Sequence, residues 1–542
     1  MPDSSIPHRP HGDGRASASS RRIHRTLAAG LSALLIVAAI TIAVKVNKTE
    51  PASASGRNCE SMIELSLPRT TIVSANRTPG RDSLPPSCRL TAVVSDENDT
   101  GEVTVWVYLP LDGWNGRFQA VGGGGYAGGE PDRLLPALES GYASAGTDAG
   151  HVGAEAEFAL NKDGTPNTPA INDFAYEGIE DLTVTGKAIT EEFYGQRPEY
   201  SYFNGCSTGG RQGLTHAQRF GDDYDGIVAG APVINFPRLQ TGQMWGQVVM
   251  KEENNPVASC KFEAATQALI EKCDEVGDGV RDGVIGDPMA CDVDLTSLIG
   301  TQTACGTISA QDVGVINKII EGPRATDGSF LWYGLPPGAP MDDLNVTVES
   351  NGQLVGEPFR YTEWWLRLFV EQDRSWDWTT LTYESFADYF MQARAMYDEL
   401  IAGDDADLSQ FSDSGGKLIV WHGAADFGVP YQGTVDYYER VREEMSDTEI
   451  DDFLRLFIAP GVGHCRGGDG PNPVDPMRAL TDWVEHGVAP DHLDAQSDDS
   501  ENVYDRPICQ YPGVAQWTGQ GSINSSNNYE CTEATRIIPA QR

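Results

Sequence analysis

A serine between glycines, Gly205-Cys206-Ser207-Thr208-Gly209, is followed far along the chain by Asp426 and then by His464. A serine hydroxyl is a weak nucleophile until a base takes its proton. Histidine is the usual base, and a carboxylate fixes its tautomer and balances the charge that develops. Ser207, Asp426 and His464 in these roles would carry acyl transfer. Each alone is a weak signal. G-x-S-x-G arises by chance in a chain with 59 glycines, a lone loop histidine is more often a surface residue, and an aspartate after a strand is often a helix cap. Their joint occurrence in one order gives them weight. Asp148 and His151 are the competing acid and histidine, and read as structural because a better pair follows later.

These residues need elements to position them. Tyr200 to Asn204 is an aromatic, β-favouring run, and Leu214 to Phe220 suits a helix, so Ser207 falls at a strand-to-helix bend, a nucleophile elbow. Arg117 to Val121 is a strand running into Gly122-Gly-Gly-Gly-Tyr126. No G-K-[ST] follows, so this loop is not a phosphate cradle. It reads instead as a backbone donor, pairing an N–H near Gly124 with the Thr208 N–H around an oxyanion. Lys417 to Gly423 is a buried strand before Asp426, and Leu454 to Ile458 a strand before His464. Further strands fall at 103–109 and within 224–232, with helices at 179–193, 434–445 and 476–486.

Such alternation builds a parallel sheet, which gathers its ligands at the strands' C-terminal ends. The order Ser…Asp…His is that of the α/β-hydrolases. The sequence therefore predicts an α/β-hydrolase fold, mostly parallel with helices on both faces, plus a large inserted lid domain. The expected divisions are an N-terminal segment 1–54, a first core part 55–232, the lid 233–410 and a second core part 411–542. Residues 47–100 read as a Pro/Ser-rich lead-in with short strands.

Within the lid, Cys273 to Cys291 carries Asp278, Asp282 and Asp287 among Asp-Gly turns. Hard oxygen donors at that spacing suit Ca²⁺, although this is not an EF-hand, and a pair of acidic turns is the plainer alternative. Tyr361 to Phe369 with Trp376 and Trp378 is an aromatic patch that suits lid core or the wall of a pocket for a flat ring. Nothing singles out Arg360 or Arg367 for a substrate carboxylate.

A formal net charge of −40 argues against nucleic acid or an anionic membrane surface as partner. The ten cysteines include no C-x-x-C, and an even set in an exported chain suggests five disulfides. Export is expected. Leu27 to Val46 (27–46) is an apolar run after Arg21, Arg22 and Arg25, and Ala52-Ser-Ala54 resembles a cleavage site, so the segment is a signal peptide or an uncleaved membrane anchor. Asn98 and Asn345 lie in glycosylation sequons. Cys206 precedes the serine and Cys465 follows the histidine. If Ser207 and His464 meet, a Cys206–Cys465 bridge would tie their loops together, and a free Cys206 nucleophile is the competing reading.

At these residues the chain resembles the tannase/feruloyl esterase family, which includes mono(2-hydroxyethyl) terephthalate hydrolases. The matching pieces are Trp114 to Phe118, Gly122 to Tyr126, Gly141 to Asp148, Gly205 to Gly213, Asp225 to Pro232, Cys273 to Asp287, Trp421 to Asp426 and Gly463 to Cys465. The resemblance implies the Ser207-Asp426-His464 triad, the Cys206–Cys465 bridge and structural Ca²⁺ held by Asp278, Asp282 and the carbonyls of Val280 and Val284. Gly277 adds a residue to the family's Cys-Asp-x-x-Asp-Gly pattern, which leaves Asp274 or Glu275 as first ligand. Under it the remaining bridges are Cys59–Cys88, Cys273–Cys291 and Cys509–Cys531, with Cys260–Cys305 left over. The implied activity is a secreted or membrane-anchored serine esterase acting on small aromatic esters of gallate, ferulate or a related acid, from plant polyphenols or cell walls. A peptidase or other acyl hydrolase with the same triad, and a calcium-stabilised surface binding protein on a hydrolase scaffold, are the alternatives.

Overall fold

In the computed structural model, residues 56–95, 101–445, 450–498 and 503–533 are described. A ten-stranded sheet organises them. Strands β1 (Ser66–Leu67), β2 (Thr70–Thr78), β3 (Ser87–Ser95) and β4 (Glu102–Pro110) pair antiparallel in succession, and β4 pairs antiparallel with Ala143–Thr147 (β6). Beyond that the sheet is parallel, through β5 (Arg117–Val121), β7 (Tyr200–Cys206), β8 (Gly226–Gly230), β9 (Lys417–Gly423) and β10 (Leu454–Ala459). The lead-in expected to hold only short strands thus contributes two nine-residue strands to the main sheet. Its polar residues misled because they alternate. In β3 Cys88, Leu90, Ala92 and Val94 point to the core while Arg89, Thr91 and Val93 do not, as suits an antiparallel strand with one wetter face.

The parallel strands are buried on both sides. Phe203, Ile227, Leu418 and Val420 enter one core with Leu182, Leu214 and Val435 from covering helices. Their neighbours Tyr202, Val228, Ile419 and Trp421 enter another with Leu480 and Trp483. Side chains alternate across a strand, so a continuous apolar run is what a strand covered on both faces needs. The covering helices include Gly178–Tyr194, Thr208–Arg219, Gln432–Met445 and Pro476–His486.

Segment 233–410 is mainly helical and builds a further core from Trp365, Phe369, Phe386 and Phe390. Tyr126 and Phe174, from outside the segment, join that cluster, and the described residues form one compact unit. The aromatic patch divides. Trp365 and Phe369 are buried in this core, whereas Tyr361 lines a cavity described below. Arg367 pairs with Glu363, and Arg360 lies over the Tyr361 ring.

All ten cysteines are paired: Cys59–Cys88, Cys206–Cys465, Cys260–Cys305, Cys273–Cys291 and Cys509–Cys531. The free-Cys206 reading is thereby set aside. Asn345 is buried and donates to the Met341 carbonyl, so its sequon has no room for a glycan. The apolar run 27–46, Ala52-Ser-Ala54 and Asn98 lie outside the described residues. No helix among the described residues is long and apolar enough to cross a membrane.

Candidate active site

β7 ends at Cys206 and a helix begins at Thr208, leaving Ser207 at the bend with φ 64° and ψ −123°. That conformation is costly for a residue with a Cβ and persists only where its surroundings enforce it. Here the Ser207 N–H donates to the Gly230 carbonyl, and the Cys206–Cys465 bridge holds the bend from the other side. The glycines are needed for close approach: a Cβ at Gly205 would come within 2.5 Å of the Gly209 backbone.

The three candidate residues come together at the ends of β7, β9 and β10. His464 Nε2 lies 2.8 Å from Ser207 Oγ, and His464 Nδ1 lies 2.6 Å from Asp426 Oδ2. The buried Asp426 accepts N–H bonds from Gly428 and Val429 on Oδ1, each 2.8 Å. Burial by itself would raise its pKa, but the His464 charge and the hydrogen bonds of His422 and His464 outweigh this and hold the carboxyl well below the usual range. For His464 burial pulls the pKa down, yet Asp426 more than compensates and raises it above 6.5. The sequence reading gave His422 no role. Its Nε2 lies 2.9 Å from the Val429 carbonyl and 3.2 Å from Asp426 Oδ2, and its Nδ1 faces Thr434 Oγ1. A polar residue inside the apolar run Leu418 to Trp421-His422 was the available signal.

The sign of each shift fixes a pH prediction. Asp426, depressed from 3.8, contributes stability that is present above that value and lost as pH falls through its folded pKa. His464, raised from 6.5, contributes stability present below that value and lost as pH rises through its folded pKa. The pair therefore stabilises most between 3.8 and 6.5, whereas proton abstraction needs neutral Nε2 and a higher pH. The expected kcat/KM profile has an acid limb with its midpoint above 6.5, read from initial rates across a pH series.

The glycine loop corrects one expectation. The Gly124 N–H donates to the Ala127 carbonyl, so it is not available to an oxyanion. Gly122 and Gly123 are likewise engaged, by Asn204 O and Gln212 Oε1. The next amide, Gly125, lines the cavity beside Ser207 and Thr208, and its φ of 61° suits glycine. The Thr208 hydroxyl donates to the Gly125 carbonyl, which ties the helix start to the loop. Gln212 holds the rest by accepting from Gly123 N–H and donating to Gly128 O. Gln212→Ala removes both bonds and leaves two buried backbone groups unpaired. We expect kcat to fall about tenfold or more with a smaller change in KM, measured on the purified variant.

Two cavities meet at His464 and Phe427. One, of about 150 Å³, reaches Ser207, Thr208 and Gly125 and is walled by Tyr126, Phe236, Phe359 and Tyr361. Gln240 and Gln243 also line it. Both are buried, and their Oε1 atoms have no hydrogen-bond partner among the described residues. The other, of about 290 Å³, touches His464 but not Ser207. Asp148 and His151 stand apart from this chemistry. Asp148 accepts from Thr104 and Gly150 N–H, and the His151 ring stacks on Phe158.

The Asp-Gly loop departs from expectation in detail. Asp278 and Asp282 converge, but on the buried guanidinium of Arg506, 3.3 Å from Asp278 Oδ2 and also bonded to Asp282 Oδ2. Burial, with Asp282 nearby, pushes Asp278 up to about 7. Asp274 Oδ1 accepts from the N–H groups of Asp282 and Gly283. Glu275 turns outward to pair with Arg281 and does not join the other carboxylates. The Val280 and Val284 amides donate to Asp278 and Asp282, closing Asx turns, and Asp287 caps Met289. Oxygen donors of this type suit a hard cation, which takes six to eight ligands. Among the described residues no group of three or more His, Cys, Asp or Glu side chains is placed to hold a metal.

The parallel sheet, the strained serine at its C-terminal edge and the histidine and carboxylate behind it define an α/β-hydrolase-type enzyme. Comparison with known proteins agrees. The family model for tannase and feruloyl esterase matches residues 88–532, and the chain belongs to that family. It is a carboxylic ester hydrolase. It is 41% identical to the "Probable feruloyl esterase" of Arthroderma benhamiae over 450 residues, covering 80% of this chain and 83% of that one. The crystal structure of feruloyl esterase B from Aspergillus oryzae superposes with a TM-score of 0.77 at 30% identity, over 88% of this chain and 99% of that one. Tannin acyl hydrolase from Aspergillus niger gives 0.79 at 28% identity, over 86% and 92%.

Proposed function

We propose that the enzyme hydrolyses esters of single-ring phenolic acids, such as gallate, ferulate or a near relative, through an acyl-Ser207 intermediate. His464 Nε2 takes the Ser207 proton as Oγ attacks the carbonyl, and Asp426 holds Nδ1–H and the charge that develops. The Thr208 and Gly125 N–H groups receive the oxyanion. The carbon–oxygen bond to the alcohol breaks, the leaving oxygen takes the proton from His464, and water repeats the sequence to release the acid.

The observation that carries the acid's identity is the aromatic cavity beside Ser207, walled by Tyr126, Phe236, Phe359 and Tyr361. Its volume matches an apolar cavity of about 150 Å³, a size that accepts one benzene ring. A ring that carries hydroxyls is supported by the family, whose relatives are named feruloyl esterase and tannin acyl hydrolase. The test is a hydrolysis panel of methyl gallate, methyl ferulate, methyl caffeate, methyl cinnamate, mono(2-hydroxyethyl) terephthalate and a p-nitrophenyl alkanoate. At least one hydroxylated aromatic ester is expected to exceed both the unhydroxylated cinnamate and the alkanoate about tenfold in kcat/KM. A preference for the alkanoate would overturn the reading.

Export to an oxidising compartment accords with five disulfides and no free thiol among the described residues. The 27–46 run is the proposed signal or anchor. Structural Ca²⁺ is proposed at Asp278 and Asp282 with the carbonyls of Val280 and Val284, and with Asp274 as first ligand. What supports it is the family resemblance and a pair of shielded carboxylates with one guanidinium beside them. Adding Ca²⁺ to EDTA-dialysed enzyme is expected to raise Tm by about 2–3 °C at saturating metal. An unchanged Tm would leave Arg506 as the sole counter-charge.

A further inference from the structure

The buried carboxylate behind His464 has one more donor than acyl transfer requires. Asp426 Oδ1 accepts from the Gly428 and Val429 amides, and Oδ2 faces His464 Nδ1. The fourth partner is His422 Nε2, 3.2 Å from the same Oδ2. An ionised carboxylate offers about four lone-pair positions, so His422 completes the set. Its neighbours fix where its proton lies. Nε2 faces two groups that only accept, the Val429 carbonyl at 2.9 Å and the Asp426 carboxylate. Nε2 therefore carries the proton, and in the neutral ring Nδ1 accepts from the Thr434 hydroxyl, 2.8 Å away. His422 and Asp426 are both fully buried, so water does not substitute for these bonds.

From this position His422 acts in two ways. Through the Val429 carbonyl it pins the turn after Asp426, whose Phe427, Gly428 and Val429 line the aromatic cavity. Through Oδ2 it donates to the oxygen that also holds His464. A donor to a carboxylate stabilises the charged form and makes it a weaker base. When His464 carries both protons, the Nδ1 proton lies between the ring and that oxygen, and a weaker base leaves it on the ring. The same donation limits how far Asp426 raises His464, so a neutral Nε2 is available at lower pH than with Asp426 alone. Thr434, on the helix Gln432–Met445, is neutral. The other charged side chains near His464 are Arg466, Asp469 and Asp343 of the second cavity, and every variant below retains them.

We infer that His422 is a positioning residue for the reaction: its Nε2–H orients Asp426, sets that carboxylate's basicity, and thereby sets the pH at which His464 accepts the serine proton. The inference rests on the acyl-Ser207 mechanism proposed above. The experiment measures kcat/KM across a pH series for His422→Leu, His422→Gln and Thr434→Val, on the ester hydrolysed best in the panel, with Tm on each sample. Leucine keeps the bulk and removes the donor. Asp426 then pulls harder on His464, and the acid limb is expected to move up by about 0.5–1 pH unit. That shift lowers kcat/KM about three- to tenfold below the midpoint and less above it. Glutamine returns an N–H near the place of Nε2 and is expected to bring the midpoint back toward the wild-type value. Thr434→Val keeps His422 and takes the hydroxyl from Nδ1, so a smaller shift in the same direction is expected. Loss of packing alone lowers Tm and active fraction without moving a midpoint. An unmoved or lowered midpoint in a folded leucine variant, or one that glutamine fails to restore, overturns the inference. If the leucine variant does not fold, an unmoved midpoint in Thr434→Val overturns it instead. A wild-type profile without an acid limb overturns the underlying mechanism and the inference with it.

Discussion

Ser207→Ala is expected to lower kcat by roughly 10⁵–10⁶-fold, the scale on which a serine hydrolase loses its covalent route. The residual rate is set by binding and by the Thr208 and Gly125 amides, which the substitution leaves in place. Folding should persist. Ser207 holds the bend through its backbone N–H to Gly230 and through the Cys206–Cys465 bridge beside it, neither of which needs the hydroxyl. The φ of 64° is no worse for alanine than for serine. The check is burst and steady-state kinetics on the preferred ester, with far-UV circular dichroism and Tm on the same sample. An alanine variant with near-normal turnover would sink the acyl-enzyme mechanism.

Asp426→Asn is expected to cost about 10⁴-fold in kcat while changing KM little. Asp426 Oδ1 accepts two N–H bonds, from Gly428 and Val429, so the asparagine carbonyl will occupy that side. Its NH₂ then faces His464 Nδ1 and His422 Nε2. A donor in that place forces the proton of His464 from Nδ1 to Nε2, where it meets Ser207 instead of accepting from it. Removing the carboxylate also withdraws the charge that raises His464, so any residual activity should show its acid limb shifted to lower pH. A purely structural defect would not move that midpoint. If both kcat and the midpoint stay at their wild-type values, Asp426 is not the orienting group.

How much of this was legible differs residue by residue. Ser207, Asp426 and His464 could be read because each lies a few residues beyond a run of strand-forming residues, and a parallel sheet brings such ends to one edge. The bridge beside them followed from adjacency. If two side chains touch, the residues next to them are close. The two long strands before residue 100 were misjudged because an antiparallel strand with a wetter face alternates polar with apolar and resembles loop composition.

Periodicity and order along the chain alone determined the hydrolase-type sheet, the triad candidates and the elbow, since these are local patterns repeated at strand ends. Only the tertiary structure decided which glycine amide is free, because that depends on Ala127, Asn204 and Gln212 taking the others. It also brought Arg506 between Asp278 and Asp282, across 224 residues or more. Hydrogen bonds and ion pairs between distant segments leave no spacing rule in a sequence. The same holds for the cavities at His464, whose walls come from the insertion and from both parts of the core.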